Sequence, residues 1–203
     1  MKLYYAPGAC SLASHITLRE AGASFDLEKV DLKQKQTAGA ADFAAINPKG
    51  YVPVLALADG QYLTEGAAIL QFIADQHPKA ELAPAAGTLE RARLQEHLNY
   101  VASELHKAFS PLFNPASSEA EKEAARTRVG QKLDLIEKTL GDGRSYLLGD
   151  RFSVADAYLF TVVNWTGPTG IGLDAWPHVA AFHRRVAARE AVQAALKAEG
   201  LAA

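Results

Sequence analysis

Between residues 79 and 87 this 203-residue chain changes character, and that change limits the folds open to it. Upstream, short strand-type and helix-type segments alternate. Residues 2–5 read as a strand, 11–21 as a periodic helix and 25–30 as a second strand, which opens like a βαβ unit. A helix-like stretch at 40–46 follows. The run Val52-Pro53-Val54-Leu55-Ala56-Leu57, the turn Asp59-Gly60 and then Tyr62-Leu63 together predict a hairpin. Thr64 is placed to cap a helix over 65–76, where Ile69, Phe72 and Ile73 recur at helical spacing and His77-Pro78 supplies a stop. The stretch 79–87 is rich in Ala, Pro and Gly, and beyond it the pattern is helical: 88–110, 118–140, 153–165, 175–188 and 190–198. The chain is therefore read as α/β followed by all-α, with an N-terminal domain over 1–80 and a helical bundle over 87–203. Within the bundle, Ser153 and Asp156 have capping-box spacing, and Phe152 precedes them where a hydrophobic staple would pack against Ala157.

Composition removes several function classes. A net charge of -2 with 22% charged residues gives no field suited to a polyanion, which argues against nucleic acid as a ligand. No segment approaches the roughly 20 apolar residues that cross a bilayer, and the N-terminus lacks an apolar signal core, so a cytoplasmic protein without a membrane partner is expected. A single cysteine excludes an internal disulfide and a zinc site built on several thiolates. The histidines at 15, 77, 97, 178 and 183 have no convincing ligand spacing, so no metal is expected.

Four constellations carry candidate chemistry. Cys10 follows the turn Ala6-Pro7-Gly8-Ala9 at the start of the first helix, where backbone N–H groups and the helix dipole favour a thiolate. A lone cysteine is also compatible with core packing, but a strand-to-helix turn suits a thiol that meets another thiol. The loop Asn47-Pro48-Lys49-Gly50-Tyr51-Val52-Pro53 leads into a strand whose Val52 backbone can pair with an extended peptide if the Val52–Pro53 bond is cis; the dipeptide alone favours trans. Glu65-Gly66 stands at a helix start, where amides bind a carboxylate and the acid either pairs with an ammonium or complements the dipole. On the first long helix of the bundle, Leu94, Leu98, Val101 and Leu105 form one stripe and Asn99, Ser103 and His106 an opposite polar one, with Glu104 off it. That polar stripe is either a solvated face or a binding one. Trp165 and Phe113 read first as core and second as the lining of an apolar pocket.

Taken together, the Cys-Ser turn, the Asn-Pro-x-Gly-x-Val-Pro loop, the Thr-Glu-Gly-x-Ala-Ile helix start and the Ser-x-Ala-Asp cap resemble the glutathione transferases over essentially the whole chain. The opening Lys2-Leu3-Tyr4-Tyr5-x-Pro7-Gly8-x-Cys10-Ser11-Leu12 and the run Ser103-Glu104-Leu105-His106-Lys107 look like the bacterial beta class. The resemblance implies a thioredoxin-like N-terminal domain with a cis Pro53, a helical C-terminal domain, and a homodimer holding one glutathione per subunit between domains. It implies that Val52 pairs with the cysteinyl backbone, that Glu65 and Gly66 hold the γ-glutamyl end and that Lys35 reaches the glycyl carboxylate. Asn99, Ser103, Glu104 and His106 look like further glutathione contacts, some across the dimer. Two departures stand out: Gly66 replaces the serine common in the wider superfamily, and Ser14 stands where beta-class chains often carry proline before the residue matching His15.

The activity this implies is conjugation of the glutathione thiolate, stabilised by helix-start amides with Ser11 and Cys10 as donors, to a small hydrophobic electrophile. His106 is a candidate general base or hydrogen-bond donor. Two alternatives stay open: glutaredoxin-like thiol transfer or reductive dehalogenation through a Cys10–glutathione mixed disulfide, and a non-catalytic glutathione-binding module.

Overall fold

The computed structural model describes residues 1–201. One unit comprises Met1–Ala83 with the C-terminal stretch from Ala188, and the other Pro84–Ala187. The last helix, assigned above to the bundle, thus groups with the N-terminal segment.

In the first unit, β1 (Lys2–Tyr5) lies at the centre of a five-stranded sheet. It runs parallel to β2 (Asp26–Asp31) and antiparallel to β4 (Val54–Ala56), which pairs with β5 (Tyr62–Thr64); β3 (Gln36–Thr37) edges β2. The period-two alternation of β1 divides the core. Leu3 and Tyr5 pack with Leu18 of α1 (Ser11–Glu20) and with Ile69 and Ile73 of α3 (Gly66–Gln76) on one face. Tyr4 packs with Val30, Val54 and Phe43 of α2 (Phe43–Ile46) on the other. A mixed sheet with α1 and α3 on one side and α2 on the other is a thioredoxin-like arrangement. Two local expectations change. The helical stretch expected at 40–46 is a single turn after β3, because Asp42 caps it by accepting from the Ala44 N–H at 2.9 Å. The residue before α3 is Glu65 rather than Thr64, in a positive-φ conformation.

The second unit is helical: α4 (Leu89–Tyr100), a π-helical turn Val101–Leu105, the short α5 (His106–Ala108) and α6 (Ser110–Phe113), then α7 (Glu119–Leu140), α8 (Val154–Val163) and α9 (Pro177–Ala187). Every residue of α8 is buried, as expected of a central helix that is apolar on all sides. Its start is fixed by Asp156, whose Oδ2 accepts from the Ser153 N–H and hydroxyl at 2.8 and 2.7 Å and whose Oδ1 accepts from the Leu147 N–H at 2.8 Å. Among the described residues, no helix is long and apolar enough to cross a membrane. The single helix expected over 88–110 is interrupted: a π turn accommodates an extra residue and turns everything after it relative to a uniform 100° progression.

Back in the first unit, α10 (Glu190–Ala198) packs on α1. Arg189, just before α10, meets Glu20 through two hydrogen bonds of 2.6 and 2.8 Å.

Candidate active site

The turn after β1 is built by its own backbone. Ala9 N–H donates to Ala6 C=O at 3.1 Å and Leu12 N–H to Ala9 C=O at 2.9 Å, so that Cys10 sits in helical conformation at the mouth of α1. Its side chain is partly exposed, and Sγ donates to the Val52 carbonyl at 3.2 Å. This contact joins two of the constellations found in the sequence. The Val52–Pro53 bond is cis. The Cys10–Val52 contact is one that a thiol can donate and a thiolate cannot.

Ser11 is placed differently from its expected role. It is fully buried, accepting from the Ala6 N–H at 3.2 Å and donating to the Ala6 carbonyl at 3.3 Å. Its hydroxyl ties the end of β1 to α1, and the Ala6 carbonyl takes the proton expected to be offered to a glutathione thiolate.

The loop before Val52 is organised from within by Asn47, buried, whose Nδ2 donates to Tyr51 C=O at 2.7 Å and whose Oδ1 accepts from Lys49 N–H at 3.2 Å. The Lys35 ammonium reaches this loop and donates to Gly50 C=O at 2.8 Å. Glu65 extends from the start of α3, its carboxylate 70% exposed and paired with the Lys49 ammonium at 2.7 Å; Lys49 also donates to the Thr64 hydroxyl at 3.2 Å. Gly66, the first residue of α3, contributes the helix-start amide. Cys10, Lys35, Val52, Pro53, Glu65 and Gly66 therefore all belong to the turns and helix starts of one unit. Lys49, as the counterion of Glu65, was not foreseen, although a lysine two residues after Asn47 on the same loop was the available signal.

In the helical unit, Leu94, Leu98, Val101 and Leu105 are all fully buried. Asn99 and Ser103 are exposed, the Ser103 hydroxyl donating to the Asn99 carbonyl at 2.8 Å. Glu104 is paired with Lys132 at 2.6 Å. His106 departs from the expected polar stripe, since the π turn carries it inward. Its Nδ1 lies 2.9 Å from the Tyr158 hydroxyl and its ring stands edge-on to Trp165 with centroids 4.7 Å apart. Burial, with a smaller contribution from Lys107, pushes the His106 imidazole down to about 4. Trp165 is buried, Phe113 is about half exposed, and both meet Phe109 in one aromatic cluster. Held down in this way, His106 is expected to titrate near pH 4 when followed by NMR of its ring protons. Any pH–rate profile is then expected to carry no limb from this group between pH 6 and 8.

Residues 8–76 match the family described as glutathione S-transferase, N-terminal domain, and residues 100–190 the one described as glutathione S-transferase, C-terminal domain. The chain belongs to the glutathione S-transferase family. It is 49% identical over 201 residues to glutathione S-transferase GstA of Escherichia coli O157:H7, covering 99% of this chain and all of that one. A bacterial beta-class glutathione S-transferase structure from Sphingomonas chungbukensis superposes with a TM-score of 0.96 at 52% identity, over 99% of this chain and 100% of that one. A sphingomonad glutathione S-transferase complexed with glutathione gives 0.96 at 50% identity, over the full length of both. This glutathione S-transferase thus shares its fold and much of its sequence with bacterial beta-class members.

Proposed function

We propose that this protein binds glutathione along the Cys10 turn, the Val52 backbone and the Glu65–Gly66 helix start, and conjugates its thiolate to a small hydrophobic electrophile. The observation that carries this reading is the Cys10–Val52 hydrogen bond, because it sets the only thiol of the chain beside the backbone groups suited to a cysteinyl residue. The complex of the sphingomonad relative with glutathione supports the choice of ligand. Glu65 offers a carboxylate to the γ-glutamyl ammonium in place of Lys49, and Lys35 offers a cation to the glycyl carboxylate. Within the helical unit, the Phe109–Phe113–Trp165 cluster offers an apolar surface suited to a hydrophobic electrophile. Glu104 serves a partner subunit in a cytoplasmic homodimer once it leaves Lys132.

In conjugation the glutathione sulfur attacks the electrophilic carbon, the leaving group departs with the bonding pair or a strained ring opens, and a thioether forms. Helix-start amides stabilise the attacking thiolate. The alternative route is favoured by the accessible position of Cys10. There its thiolate attacks the glutathione sulfur of a mixed disulfide and expels the other thiolate; a second glutathione thiolate then releases Cys10 as oxidised glutathione forms.

The variant Cys10→Ala separates the two. Disulfide reduction is expected to disappear, whereas conjugation to an aryl halide is expected to persist within about tenfold of wild type, since glutathione supplies the nucleophile. Wild-type protein that binds glutathione yet forms no thioether with a panel of aryl halides and epoxides would overturn the conjugation reading. A Cys10 adduct with glutathione adds about 305 Da to the intact mass and is removed by reductant.

A further inference from the structure

Glu199, the residue after α10, lies far from Cys10 in sequence but meets its turn directly. Its side chain is fully buried, and its two oxygens serve two different segments: Oε2 accepts from the Gly8 N–H at 2.9 Å, and Oε1 lies 2.9 Å from His15 Nδ1. Arg19 Nε donates to His15 Nε2 at 2.9 Å. A ring nitrogen that accepts from a guanidinium carries no proton, so the His15 proton resides on Nδ1 and is donated to Glu199. The chain of donors therefore runs from Arg19 through a neutral His15 to the Glu199 carboxylate, which still has an oxygen for Gly8. Nearby, Tyr5 of β1 feels the same carboxylate: its hydroxyl is pushed up first by burial and then by the Glu199 charge.

Gly8 is the hinge of the Cys10 turn. Its φ of +70° lies in the left-handed region, and the Leu201 methyl carbons sit 3.6 Å from where a Cβ on Gly8 would stand. The turn is thus gripped by a charge-assisted hydrogen bond and covered by an apolar side chain, both from the segment following α10. We infer that Glu199 is a positioning residue for Cys10: by holding the Gly8 N–H it fixes the turn that sets Cys10 at the mouth of α1, where the helix dipole favours the thiolate, with His15 and Arg19 setting the carboxylate in place. This concerns the protein's own thiol and does not depend on what ligand the site takes.

Because Cys10 is the only cysteine, alkylation of the intact protein reports it alone. Glu199→Ala is expected to slow alkylation of Cys10 by iodoacetamide at pH 7 by about fivefold or more, with the midpoint of the rate–pH profile moved upward, because a loosened turn stabilises the thiolate less. Leu201→Ala, which uncovers Gly8 without stranding a buried polar group, is expected to move both readouts the same way by a smaller factor. It also serves as the test should Glu199→Ala fail to fold. Arg189→Ala removes the ion pair with Glu20 at the opposite end of α10, so it loosens the helix without touching Gly8. Its alkylation rate is expected to stay within about twofold of wild type at temperatures where it is folded. Three results would each overturn the inference: equal slowing in Arg189→Ala and Glu199→Ala, no change in the Glu199 and Leu201 variants, or faster alkylation in Glu199→Ala. The last would mean that the carboxylate acts on the thiol as a charge and not through the turn.

Discussion

Asp156→Ala is expected to lower the free energy of unfolding by about 3–5 kcal/mol, the largest loss of stability anticipated for a single side chain here. The carboxylate is fully buried and is the acceptor for two backbone N–H groups, of Leu147 and Ser153, and for the Ser153 hydroxyl. Alanine leaves both amides without that partner beside the most buried helix of the bundle, at a cost of about 1–3 kcal/mol each. For a chain of this size the melting temperature is expected to fall by roughly 10 °C, as calorimetry would show. Asp156→Asn keeps one acceptor and turns an NH2 toward existing donors, so an intermediate loss is expected. The pH dependence separates charge from shape. Burial outweighs the hydrogen bonds to the carboxylate and pushes the Asp156 carboxyl up to about 6. Its folded value thus exceeds the ordinary 3.8, and between those values the folded state binds more protons than the unfolded one. Wild-type stability relative to Asp156→Asn should therefore be greatest below about pH 4, decline as pH rises to about 6, and then level off. His106 acts with the opposite sign. Held at about 4, it leaves the folded state with fewer protons over much the same window, so its contribution rises with pH, and only the comparison with Asp156→Asn isolates the carboxyl.

The elements that a short sequence window can encode were legible. The alternation in β1 divides the core as its apolar positions suggest, and the spacing of Leu94, Leu98, Val101 and Leu105 marks a stripe that is wholly buried. Ser153 and Asp156 announced a helix start because capping chemistry is local. The π turn at Val101–Leu105 was not legible: a periodicity argument assumes a constant angle per residue, and nothing in the apolar pattern signals one residue too many. That single insertion took His106 from the expected polar stripe into the Tyr158–Trp165 cluster, where burial lowers its basicity. The buried His15–Glu199 pair was equally silent, since it joins residues 184 positions apart and neither stands in a recognisable spacing. Ser11 shows a third kind of limit. A hydroxyl beside a thiol suggests a donor to sulfur, but only coordinates reveal that the Ala6 backbone has already claimed it.

Glu65→Gly is expected to separate stability from binding. Glu65 has φ 69° and ψ 113°, a conformation that side chains with a Cβ adopt at a cost of order 1–3 kcal/mol and glycine adopts freely. Its carboxylate is mostly exposed, and an exposed ion pair such as that with Lys49 contributes about 0–1 kcal/mol, so little in the fold compensates for the strain. Glycine relieves it but gains entropy in the unfolded chain, and the net result should lie between no change and about 1 kcal/mol of added stability in urea titration. Affinity for glutathione should move the other way. Loss of a charge-assisted hydrogen bond to the γ-glutamyl ammonium, worth about 1.5–3 kcal/mol, corresponds to a fall of roughly 10–100-fold, measurable by isothermal titration. A glutathione analogue lacking that amino group provides the control. If the carboxylate recognises the ammonium, wild type and Glu65→Gly should bind the analogue within about twofold of one another. If the variant loses affinity for the analogue as fully as for glutathione, the strained backbone at the start of α3, and not the acid it carries, is what holds the ligand.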